Sequence, residues 1–473
     1  MQETKNNSFH IITFGCTYNS ADSDKMKRIL INSGYYEDQL SKARILILNT
    51  CAVKLPTEQK ILELIKKYSL SMQKQIIQSN KESNPLIEEH GLEDRLLSPE
   101  KTPSHANILI IAGCLPFISP TMVETIKNIL PTRSGILSPH ALSQIVLLIE
   151  KIENNEEKVL ITDEKTTTKE AIVPYIEPDR CNAAIQIAEG CSGNCAYCCT
   201  KNARGKLCSF SISSIISSIT NLYNFGIREF YITAQDLGAY HYEGKKLHHL
   251  LQEILSRPNK FYLRLGMMNP EYLRTHVDEI IEILKDKRVY RFIHIPIQSG
   301  SDSVLKIMRR KYTVKEFSYI VEKLRKFDPE ISISTDIICG FSGETGEDWL
   351  QTVELIRNLK PAVLNISKYT VRPDTEAKKM VQLPSKEIKN RSTEISMLYD
   401  KLAQNIGLNQ IGREYEVFVS EKNAEIADNF TARNLYYHSI VLKNVELGKR
   451  YLVKIIDYKY HYYFAEVISE LKE

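Results

Sequence analysis

Three closely spaced cysteines, Cys191, Cys195 and Cys198, are the residues of this chain with the clearest capacity for chemistry. Their C-x3-C-x2-C spacing, with glycines beside it, suits one iron–sulfur cluster of the [4Fe–4S] type. Such a cluster needs four ligands, so three thiolates leave one iron open to bind another molecule. The alternative is structural zinc, but zinc sites usually combine two C-x2-C pairs or Cys/His pairs, and no second pair lies nearby. The spacing therefore predicts a cluster with an open iron.

This spacing resembles that of the radical S-adenosylmethionine (SAM) superfamily. The resemblance implies that the open iron binds the amino and carboxylate groups of SAM. It also implies that the reduced cluster cleaves SAM to a 5′-deoxyadenosyl radical. Tyr197 is the aromatic residue usual between the last two ligands in that superfamily. We therefore expect Cys191, Cys195 and Cys198 to hold the catalytic cluster and Tyr197 to contact the cofactor.

The composition is ordinary for a soluble enzyme. The chain has 473 residues, which predicts roughly three domains, and is 43% hydrophobic and 25% charged. No apolar run approaches the roughly 20 residues of a membrane helix, and the N-terminus lacks a signal-peptide core, so we expect a cytoplasmic protein without a membrane partner. Ten cysteines in a cytosolic chain indicate metal binding or catalysis. The net charge of +4 permits a nucleic-acid partner but does not require one.

The N-terminal part repeats an apolar strand, a cysteine and a helix three times. The strands HIITF, ILILN and ILIIA run into Cys16, Cys51 and Cys114 respectively. Helices are expected from about Ala21, Pro56 and Pro120. Unbroken apolar strands alternating with helices indicate a parallel α/β sheet, which binds ligands at the carboxyl ends of its strands. A single buried cysteine usually fills a core, but three at equivalent turns predict a second three-cysteine cluster with an open iron.

The sequence divides into three predicted domains with two weakly patterned stretches. Residues 71–106 are polar and of mixed charge, which predicts an insertion or a disordered excursion without function. Residues from about 151 to 178 indicate an edge strand and a linker. The predicted domains are 1–155, with the insertion, then 178–402 and 403–473.

The middle domain shows six further strand–helix units, which predict a partial (β/α)6 barrel. Its strand candidates are AAIQIA, EFYIT, FYLRL, RFIHIPI, ISISTDII and VLNIS, and its helices include Ser211–Asn224, Glu271–Leu284, Thr313–Phe327 and Glu347–Leu359. Chemistry in such a barrel belongs at the carboxyl ends of the strands. Gln235, Arg264, Gln298 and Asp336 lie at or near four different strand ends and are candidate SAM contacts. Each could equally make a structural hydrogen bond.

The last domain alternates apolar and polar residues in four short strands, EYEVFVS, HSIVLKN, RYLVKIID and YYFAEVIS. This pattern fits a small antiparallel β-barrel. Its tyrosines could stack on RNA bases, although aromatic residues in a barrel are more often core. They are Tyr436, Tyr437, Tyr451, Tyr458, Tyr460, Tyr462 and Tyr463. Runs of basic residues elsewhere usually form a solvated charged face, but they are also candidate phosphate contacts. They are Lys201, Arg204, Lys206, Arg309, Arg310 and Lys311.

Taken together, these domains resemble the methylthiotransferase family of radical SAM enzymes over essentially the whole chain except the insertion. Within it, the chain is similar to the archaeal and eukaryotic branch that acts on threonylcarbamoyladenosine (t6A) in tRNA. The motifs are FGCTYNS (14–20), NTCAVK (49–54), AGCLP (112–116), TKNARG (200–205), QDLGAY (235–240), GMMNP (266–270), HIPIQS (294–299) and TDIICGF (335–341). The resemblance implies a cluster domain, a radical SAM barrel and a C-terminal TRAM domain that binds tRNA.

The family resemblance also implies cofactors, partners and a mechanism. Two [4Fe–4S] clusters are implied, one held by Cys16, Cys51 and Cys114 and the other by the later triplet. One SAM methylates a sulfur delivered at the first cluster, and a second SAM yields the radical that abstracts hydrogen from C2 of the adenine. The substrate radical then captures the methylthio group. The implied partners are the tRNA anticodon stem–loop bearing t6A, a sulfur donor and an electron donor, and the N-terminal sheet is expected to close over the barrel.

Some features depart from the family pattern or leave alternatives open. Cys199 stands where the branch commonly has Lys, and we interpret it as a bystander; Cys181, Cys208 and Cys339 are expected to be structural. One alternative is a methylthiotransferase that acts on another modified adenosine or on a protein side chain. The other is a non-catalytic RNA-binding iron–sulfur redox sensor, which predicts no cleavage of SAM.

Overall fold

The computed structural model describes residues 6–83, 105–162, 173–177, 180–423, 426, 429–459 and 461–472. The described chain forms two compact units. The first unit contains the N-terminal part of the chain and, much later in sequence, the segment Cys199–Gly205. The second unit contains the rest of the described chain from residue 176 onward. Among the helices within these ranges, none combines the length and apolar character needed to cross a bilayer.

The first unit is built on a six-stranded sheet whose strands all pair in parallel. Its strands are β1 (Ser8–Thr13), β2 (Tyr36–Glu37), β3 (Ile45–Thr50), β4 (Ile108–Gly113), β5 (Ser134–Leu137) and β6 (Val159–Ile161). Its helices are α1 (Thr17–Asn32), α2 (Leu55–Ser83), α3 (Pro120–Ile129), α4 (Ile145–Glu153) and α5 (Thr200–Arg204). The strand order is β2-β1-β3-β4-β5-β6. Every residue of β3 and β4 is buried, as expected for strands covered on both faces, and the predicted parallel α/β sheet is confirmed.

Helix α2 is the main departure from the expected N-terminal elements. Ile61, Ile65, Tyr68 and Met72 are buried at helical spacing, and the helix continues to Ser83. The prediction that regular structure lapses from residue 71 is therefore wrong for residues 71–83, while residues 84–104 lie outside the described chain. Helix α1 also begins earlier than expected, at Thr17 instead of about Ala21. The short strands β2 and β5 were not predicted, because so few residues carry no recognisable alternation.

The second unit begins with the strands and helices of the middle domain. Its strands are β7 (Asn182–Gln186), β8 (Ala188–Glu189), β9 (Cys208–Ser209), β10 (Glu229–Thr233), β11 (His241–Tyr242), β12 (Lys245–Lys246), β13 (Tyr262–Leu265), β14 (Phe292–His294), β15 (Ser332–Cys339) and β16 (Val363–Lys368). Its helices are α6 (Ile212–Asn224), α7 (Leu247–Leu255), α8 (Pro270–Leu273), α9 (Val277–Leu284), α10 (Asp302–Ile307), α11 (Val314–Phe327), α12 (Gly346–Leu359) and α13 (Ser385–Leu408).

Six parallel strands of this unit form the expected partial barrel. They make two three-stranded sheets, β13-β10-β7 and β14-β15-β16, which parallel bridges at Leu263–Val289 and Met267–His294 join. The carboxyl ends of all six strands therefore lie at one end of the barrel, where chemistry is expected. The helix predicted over Glu271–Leu284 is divided into α8 and α9, because His276 has a non-helical backbone (φ −136°, ψ 19°).

The C-terminal strands close into a small barrel, as predicted. They are β17 (Glu414–Lys422), β18 (Phe430–Arg433), β19 (Ser439–Leu442), β20 (Arg450–Lys459) and β21 (Tyr462–Leu471), in the order β17-β18-β19-β21-β20. Neighbouring strands pair antiparallel, as predicted, except β19 and β21, which pair in parallel. Strand β18 was not predicted, and α13 crosses the expected boundary at residue 403. Of the tyrosines considered for base stacking, Tyr451 and Tyr463 belong to the barrel core and Tyr437 packs against Tyr290 and Phe292. Tyr460 lies outside the described residues.

Candidate functional site

Cys16, Cys51 and Cys114 come together at one edge of the first unit. They follow β1, β3 and β4, which are neighbours in the sheet and run in the same direction. The backbone N–H of Cys114 donates to the carbonyl of Thr50 at 2.9 Å, which holds the last two cysteine turns together. Cys51 and Cys114 are buried, whereas Cys16 is exposed. The edge thus presents three thiols, one of them open to solvent.

Two glycines make these turns tight enough for the thiols to approach. Gly15 has φ +108°, and a Cβ added there would lie 2.8 Å from the sulfur of Cys51. Gly113 has φ +89°, and its Cβ would lie 2.4 Å from the carbonyl oxygen of Thr50. Both positions combine a left-handed backbone with a space that a side chain would overfill. The geometry therefore requires glycine before Cys16 and before Cys114.

Asn19 connects the loops that carry the N-terminal cysteines. Its Nδ2 donates to the carbonyl of Phe14 at 2.9 Å and to that of Thr50 at 2.8 Å. Asn49 in turn donates from Nδ2 to the carbonyl of Asn19 at 2.7 Å. Both side chains are buried, where a donor that finds no acceptor is costly, and both Nδ2 groups are satisfied, although Asn49 Oδ1 accepts no hydrogen bond within the described chain. The network therefore holds the turns of Cys16 and Cys51 at a defined separation.

Arg204 approaches the same triplet from α5, although it follows Cys198 in the chain. Its Nε donates to the sulfur of Cys114 at 3.1 Å, and its Nη2 donates to Asp22 at 2.6 Å. The side chain is 1% exposed, so the suggested contact between Arg204 and an RNA phosphate is wrong. Burial raises the pKa of the Cys114 thiol to about 11, while the positive charge of Arg204 acts in the opposite direction. Metal binding, which needs the thiolate, must displace this proton.

The second triplet occupies the loop after β7 and β8. The backbone N–H of Gly193 donates to the sulfur of Cys191 at 3.2 Å. A Cβ on Gly193 would lie 3.2 Å from the sulfur of Cys191 and 3.8 Å from that of Cys195. Gly193 therefore leaves open a cradle between two sulfurs, which a side chain would fill. Tyr197 packs edge-to-face on Phe341, with ring centroids 6.1 Å apart, and so anchors the loop before Cys198.

Arg310 contacts the second triplet as Arg204 contacts the first. Its Nη1 donates to the sulfur of Cys195 at 3.1 Å, and its Nη2 donates to Asn269 Oδ1 at 3.2 Å. The suggested phosphate contact is therefore wrong for Arg310 as well. Its neighbours Arg309 and Lys311 form ion pairs with glutamates on the surface of the unit. The three basic residues are adjacent in the sequence, which does not reveal which one of them points inward.

The thiols fit iron–sulfur clusters better than single zinc ions. Ligands about 2.3 Å from one zinc ion lie within roughly 4 Å of one another. Among the described residues, the group of three possible ligand atoms within 4.8 Å of one another is His248, His276 and Glu279; neither cysteine triplet is so compact. A larger cluster separates its ligands more widely, and the open cradle at Gly193 agrees with this. The histidine group lies against the Lys246 ammonium, 2.9 Å from His276, which opposes a second cation.

The four predicted SAM contacts have different surroundings. Gln235 Oε1 is buried and makes no hydrogen bond within the described chain, so it is available to a ligand. Asp336 accepts hydrogen bonds from His294 and from Asn365, the latter at 2.7 Å. Gln298 has φ +72°, and its backbone N–H donates to the carbonyl of Asp336 at 2.8 Å. The Arg264 guanidinium packs over Phe292 and Tyr437, while its Nε is buried and makes no hydrogen bond within the described chain.

Asp236 is a neighbouring acid that sequence reasoning did not select. Its Oδ1 accepts the backbone N–H groups of Gly238 and Asn269, both at 3.1 Å. Burial raises the pKa of Asp236 to about 6, although the hydrogen bonds and the charge of Arg310 oppose this. The carboxyl group holds Asn269 in place, and Asn269 accepts the hydrogen bond from Arg310. In the sequence, the only indication of this role for Asp236 is its position after β10, next to Gln235.

The four remaining cysteines lie outside both triplets, although Cys199 directly follows Cys198 in the chain. Cys181 donates to the carbonyl of Ser420 at 3.0 Å, and Cys339 is fully buried. Cys199 is also buried, with its sulfur 3.8 Å from the carbonyl oxygen of Ala52. Cys208 is half-buried in β9. These contacts agree with the expected structural roles of Cys181 and Cys339.

Comparisons with known proteins agree with this architecture. Residues 185–356 match the model of the radical SAM superfamily, and residues 8–80 match uncharacterized protein family UPF0004. Two structures of a radical SAM methyltransferase from Kitasatospora setae share the fold, each with TM-score 0.50. One is 12% identical and covers 78% of this chain and 75% of that chain; the other is 14% identical and covers 79% and 77%. Fold, cysteine loop and family match together define a radical SAM enzyme.

Curated relatives specify the branch. A probable threonylcarbamoyladenosine tRNA methylthiotransferase from Methanothermobacter thermautotrophicus is 33% identical, over 97% of this chain and 99% of its own length. The threonylcarbamoyladenosine tRNA methylthiotransferase of Danio rerio is 31% identical over 97% of this chain and 78% of its own length. The Homo sapiens relative of the same name is 31% identical, over 98% and 74% respectively. The chain belongs to the threonylcarbamoyladenosine tRNA methylthiotransferase family.

Proposed function

We propose that this protein transfers a methylthio group to C2 of t6A, next to the anticodon of tRNA, by radical SAM chemistry. The observation that carries the proposal is the pair of cysteine triplets, one after three parallel strands and the other in the loop after β7 and β8, in a chain related to t6A methylthiotransferases over 97% of its length. A single triplet would account for SAM cleavage alone. The second triplet supplies a separate place from which sulfur is delivered.

Cys191, Cys195 and Cys198 would hold one [4Fe–4S] cluster, and Cys16, Cys51 and Cys114 the other. When bound, these clusters and SAM supply a carbon radical that can abstract hydrogen from an unactivated C–H bond, together with the sulfur to be transferred. Gly193 keeps space open between two thiols, and Asn19 holds two cysteine turns in register. The chain's own contribution is therefore to position the thiols.

The proposed SAM contacts are Gln235, Arg264, Gln298 and Asp336, with Tyr197 fixing the cluster loop. Gln235 offers a buried carbonyl oxygen without a partner, which can accept a hydrogen bond from a ribose hydroxyl or an ammonium group. Asp336 lies within β15 and is held by His294 and Asn365, so its carboxylate is pre-oriented. Arg264 stays a proposed contact, because its buried Nε donates no hydrogen bond within the described chain.

The proposed partners are tRNA carrying t6A in its anticodon stem–loop, a sulfur donor and an electron donor. Lys206 is exposed and remains a candidate phosphate contact. We keep the division into a cluster domain, a radical SAM barrel and a TRAM domain, the last beginning its strands at Glu414. The proposed compartment is the cytoplasm, where ten cysteines without disulfides are expected to stay reduced.

The test is anaerobic reconstitution with SAM, sulfide, dithionite and tRNA that already carries t6A, followed by mass spectrometry of the digested nucleosides. A methylthio adduct on t6A is expected from the unaltered protein and from Cys208→Ala, whose thiol lies outside both triplets. Cys16→Ala should lose the adduct yet still release 5′-deoxyadenosine, whereas Cys191→Ala should lose both products. Release of 5′-deoxyadenosine without an adduct on any t6A substrate would contradict the proposed substrate. No SAM cleavage by protein with full clusters would favour the redox sensor.

A further inference from the structure

Arg204 is the most elaborately held basic residue near a cysteine triplet. Besides Cys114 and Asp22, its guanidinium donates from Nη2 to Asn19 Oδ1 at 2.9 Å, and it lies over the ring of Tyr18 at 4.7 Å. Asp22, its ion-pair partner, is almost as deeply buried. The orientation of Arg204 is therefore fixed from three sides, with Nε directed at one sulfur.

The position of this arginine in the chain is as informative as its contacts. Arg204 and α5 belong to the first unit, although the chain on both sides of Cys199–Gly205 belongs to the second. Within that segment, Asn202 donates to the carbonyl of Ile118 at 2.9 Å, which secures α5 beside the turn that follows Cys114. The sheet that carries the three thiols thus receives its arginine from a distant part of the sequence.

A buried ion pair is a costly way to stabilise a fold, because both charges must leave water. Here the pair performs a task that apolar residues cannot, since it presents a fixed N–H donor and a positive charge to a sulfur. Hydrogen bonds to cluster sulfurs and the net charge nearby set the reduction potential of an iron–sulfur cluster. Asp22 partly cancels the charge while leaving the N–H donor in place. Donor and counter-charge therefore act on the cluster in opposite directions.

We propose that Arg204 and Asp22 are positioning residues that set the reduction potential of the N-terminal cluster, with Arg204 raising it through Cys114 and Asp22 lowering it. The inference rests on the proposed ligands Cys16, Cys51 and Cys114. On reduction, the cluster gains one electron and one unit of negative charge. A nearby donor and cation favour that reduced state, and a nearby carboxylate disfavours it.

The test is a redox titration with dithionite, followed by electron paramagnetic resonance, in the full chain with Cys191, Cys195 and Cys198 replaced by Ala. This background leaves the N-terminal cluster as the only signal. Arg204→Gln should shift the midpoint to lower potential, and Asp22→Asn should shift it to higher potential. If the two residues only stabilise the fold, both substitutions should shift the midpoint potential in the same direction, or neither should shift it. Arg204→Lys keeps the charge but loses the Nε donor, so its midpoint potential should lie between that of Arg204→Gln and that of the triple-alanine background.

Arg44→Gln is the matched control. Arg44 also forms an ion pair in this unit, a half-buried one with Glu153 at 2.7 Å, but it precedes β3 and so lies at the amino ends of the strands, away from the cysteines. Its loss should lower stability and leave the potential unchanged. Shifts of one sign in Arg204→Gln and Asp22→Asn, or shifts no larger than that of Arg44→Gln, would overturn the inference.

Iron and sulfide content distinguish the failure of the inference from the failure of its basis. If Arg204→Gln cannot hold a cluster, Asp22→Asn decides the question, and an unchanged or lowered midpoint there overturns the proposal. If the triple-alanine background itself binds no iron, the proposed ligand set is wrong and the inference is overturned with it. If iron binds and neither substitution changes the midpoint potential, the proposed ligand set is retained and only the inference about Arg204 and Asp22 is rejected.

Discussion

Arg310 donates a hydrogen bond from Nη1 to the sulfur of Cys195 across 3.1 Å, although the two residues are 115 positions apart in the sequence. The same guanidinium donates from Nε to the hydroxyl of Tyr312 at 2.8 Å, and that hydroxyl donates to the carbonyl of Ile297. The cysteine loop is thereby attached to the barrel segment that follows β14. A thiol of the proposed SAM site is thus oriented by a residue far from the cysteine motif.

Arg310→Gln should reduce the rate of 5′-deoxyadenosine formation about 10- to 100-fold, the usual cost of removing a residue that orients a metal ligand. The cause is loss of both the charge and the fixed donor beside Cys195. The measurement is 5′-deoxyadenosine per cluster, normalised to iron content. Arg309→Gln is the matched control, since Arg309 is exposed and pairs only weakly with Glu376 at 3.6 Å. Equal rates in the two variants would contradict a role for Arg310.

Gly193→Ala should prevent assembly of the second cluster while leaving the first intact. The added methyl group would lie 3.2 Å from the sulfur of Cys191, inside the cradle between two thiols. We expect about half of the iron to be lost, because each site holds one cluster of the same type. Gly346→Ala is the control, since a Cβ there meets no atom within 4 Å. Full iron content in Gly193→Ala would show that this space is not needed.

Asn19→Ala should destabilise the first unit by about 2 kcal/mol, because it leaves two buried carbonyl groups and the Arg204 donor with fewer partners. The expected readout is a lower urea midpoint of the protein without iron, followed by circular dichroism. Asn32→Ala, at the exposed end of α1, should change the midpoint little. If the two variants unfold together, Asn19 does not connect the cysteine turns as its hydrogen bonds indicate.

The C-terminal barrel should lose stability in acid through His438. Burial lowers the pKa of His438 to about 4, and the charges of Arg413 and Arg433 act in the same direction. Because the pKa of His438 in the folded state lies below its ordinary 6.5, folding favours the neutral imidazole. The resulting contribution to the stability of the fold is complete above pH 6.5 and is lost as the pH falls toward 4. Complete loss corresponds to about 3 kcal/mol for a shift of this size.

Urea midpoints measured between pH 7 and pH 4.5 test this expectation. His438→Gln should flatten the fall in stability of the barrel across that range, since glutamine takes up no proton. His461→Gln is the control, because His461 is exposed beyond β20. An unchanged pH dependence in His438→Gln would show that another group is responsible.

Much of the fold follows from local pattern. The strands HIITF, ILILN and ILIIA are apolar and alternate with helices, so a parallel sheet was predictable; β3 and β4 are buried throughout, whereas β1 is only partly buried. Elements without a strong pattern were not predictable. Strand β18 has four residues, and helix α2 continues through a polar stretch in which composition conceals the helical period. The division of α8 from α9 depends on a single non-helical residue, His276.

The sequence by itself determined the cysteine spacing, the position of each thiol after a strand, and the relationship to methylthiotransferases, because these are properties of local order along the chain. Only the tertiary structure decided which basic residues serve the thiols. Arg204 and Arg310 each stand in a run of charges, yet both turn inward to a sulfur, while Arg309 stays at the surface. The physical reason is that a buried cation needs a partner that only the folded chain can supply.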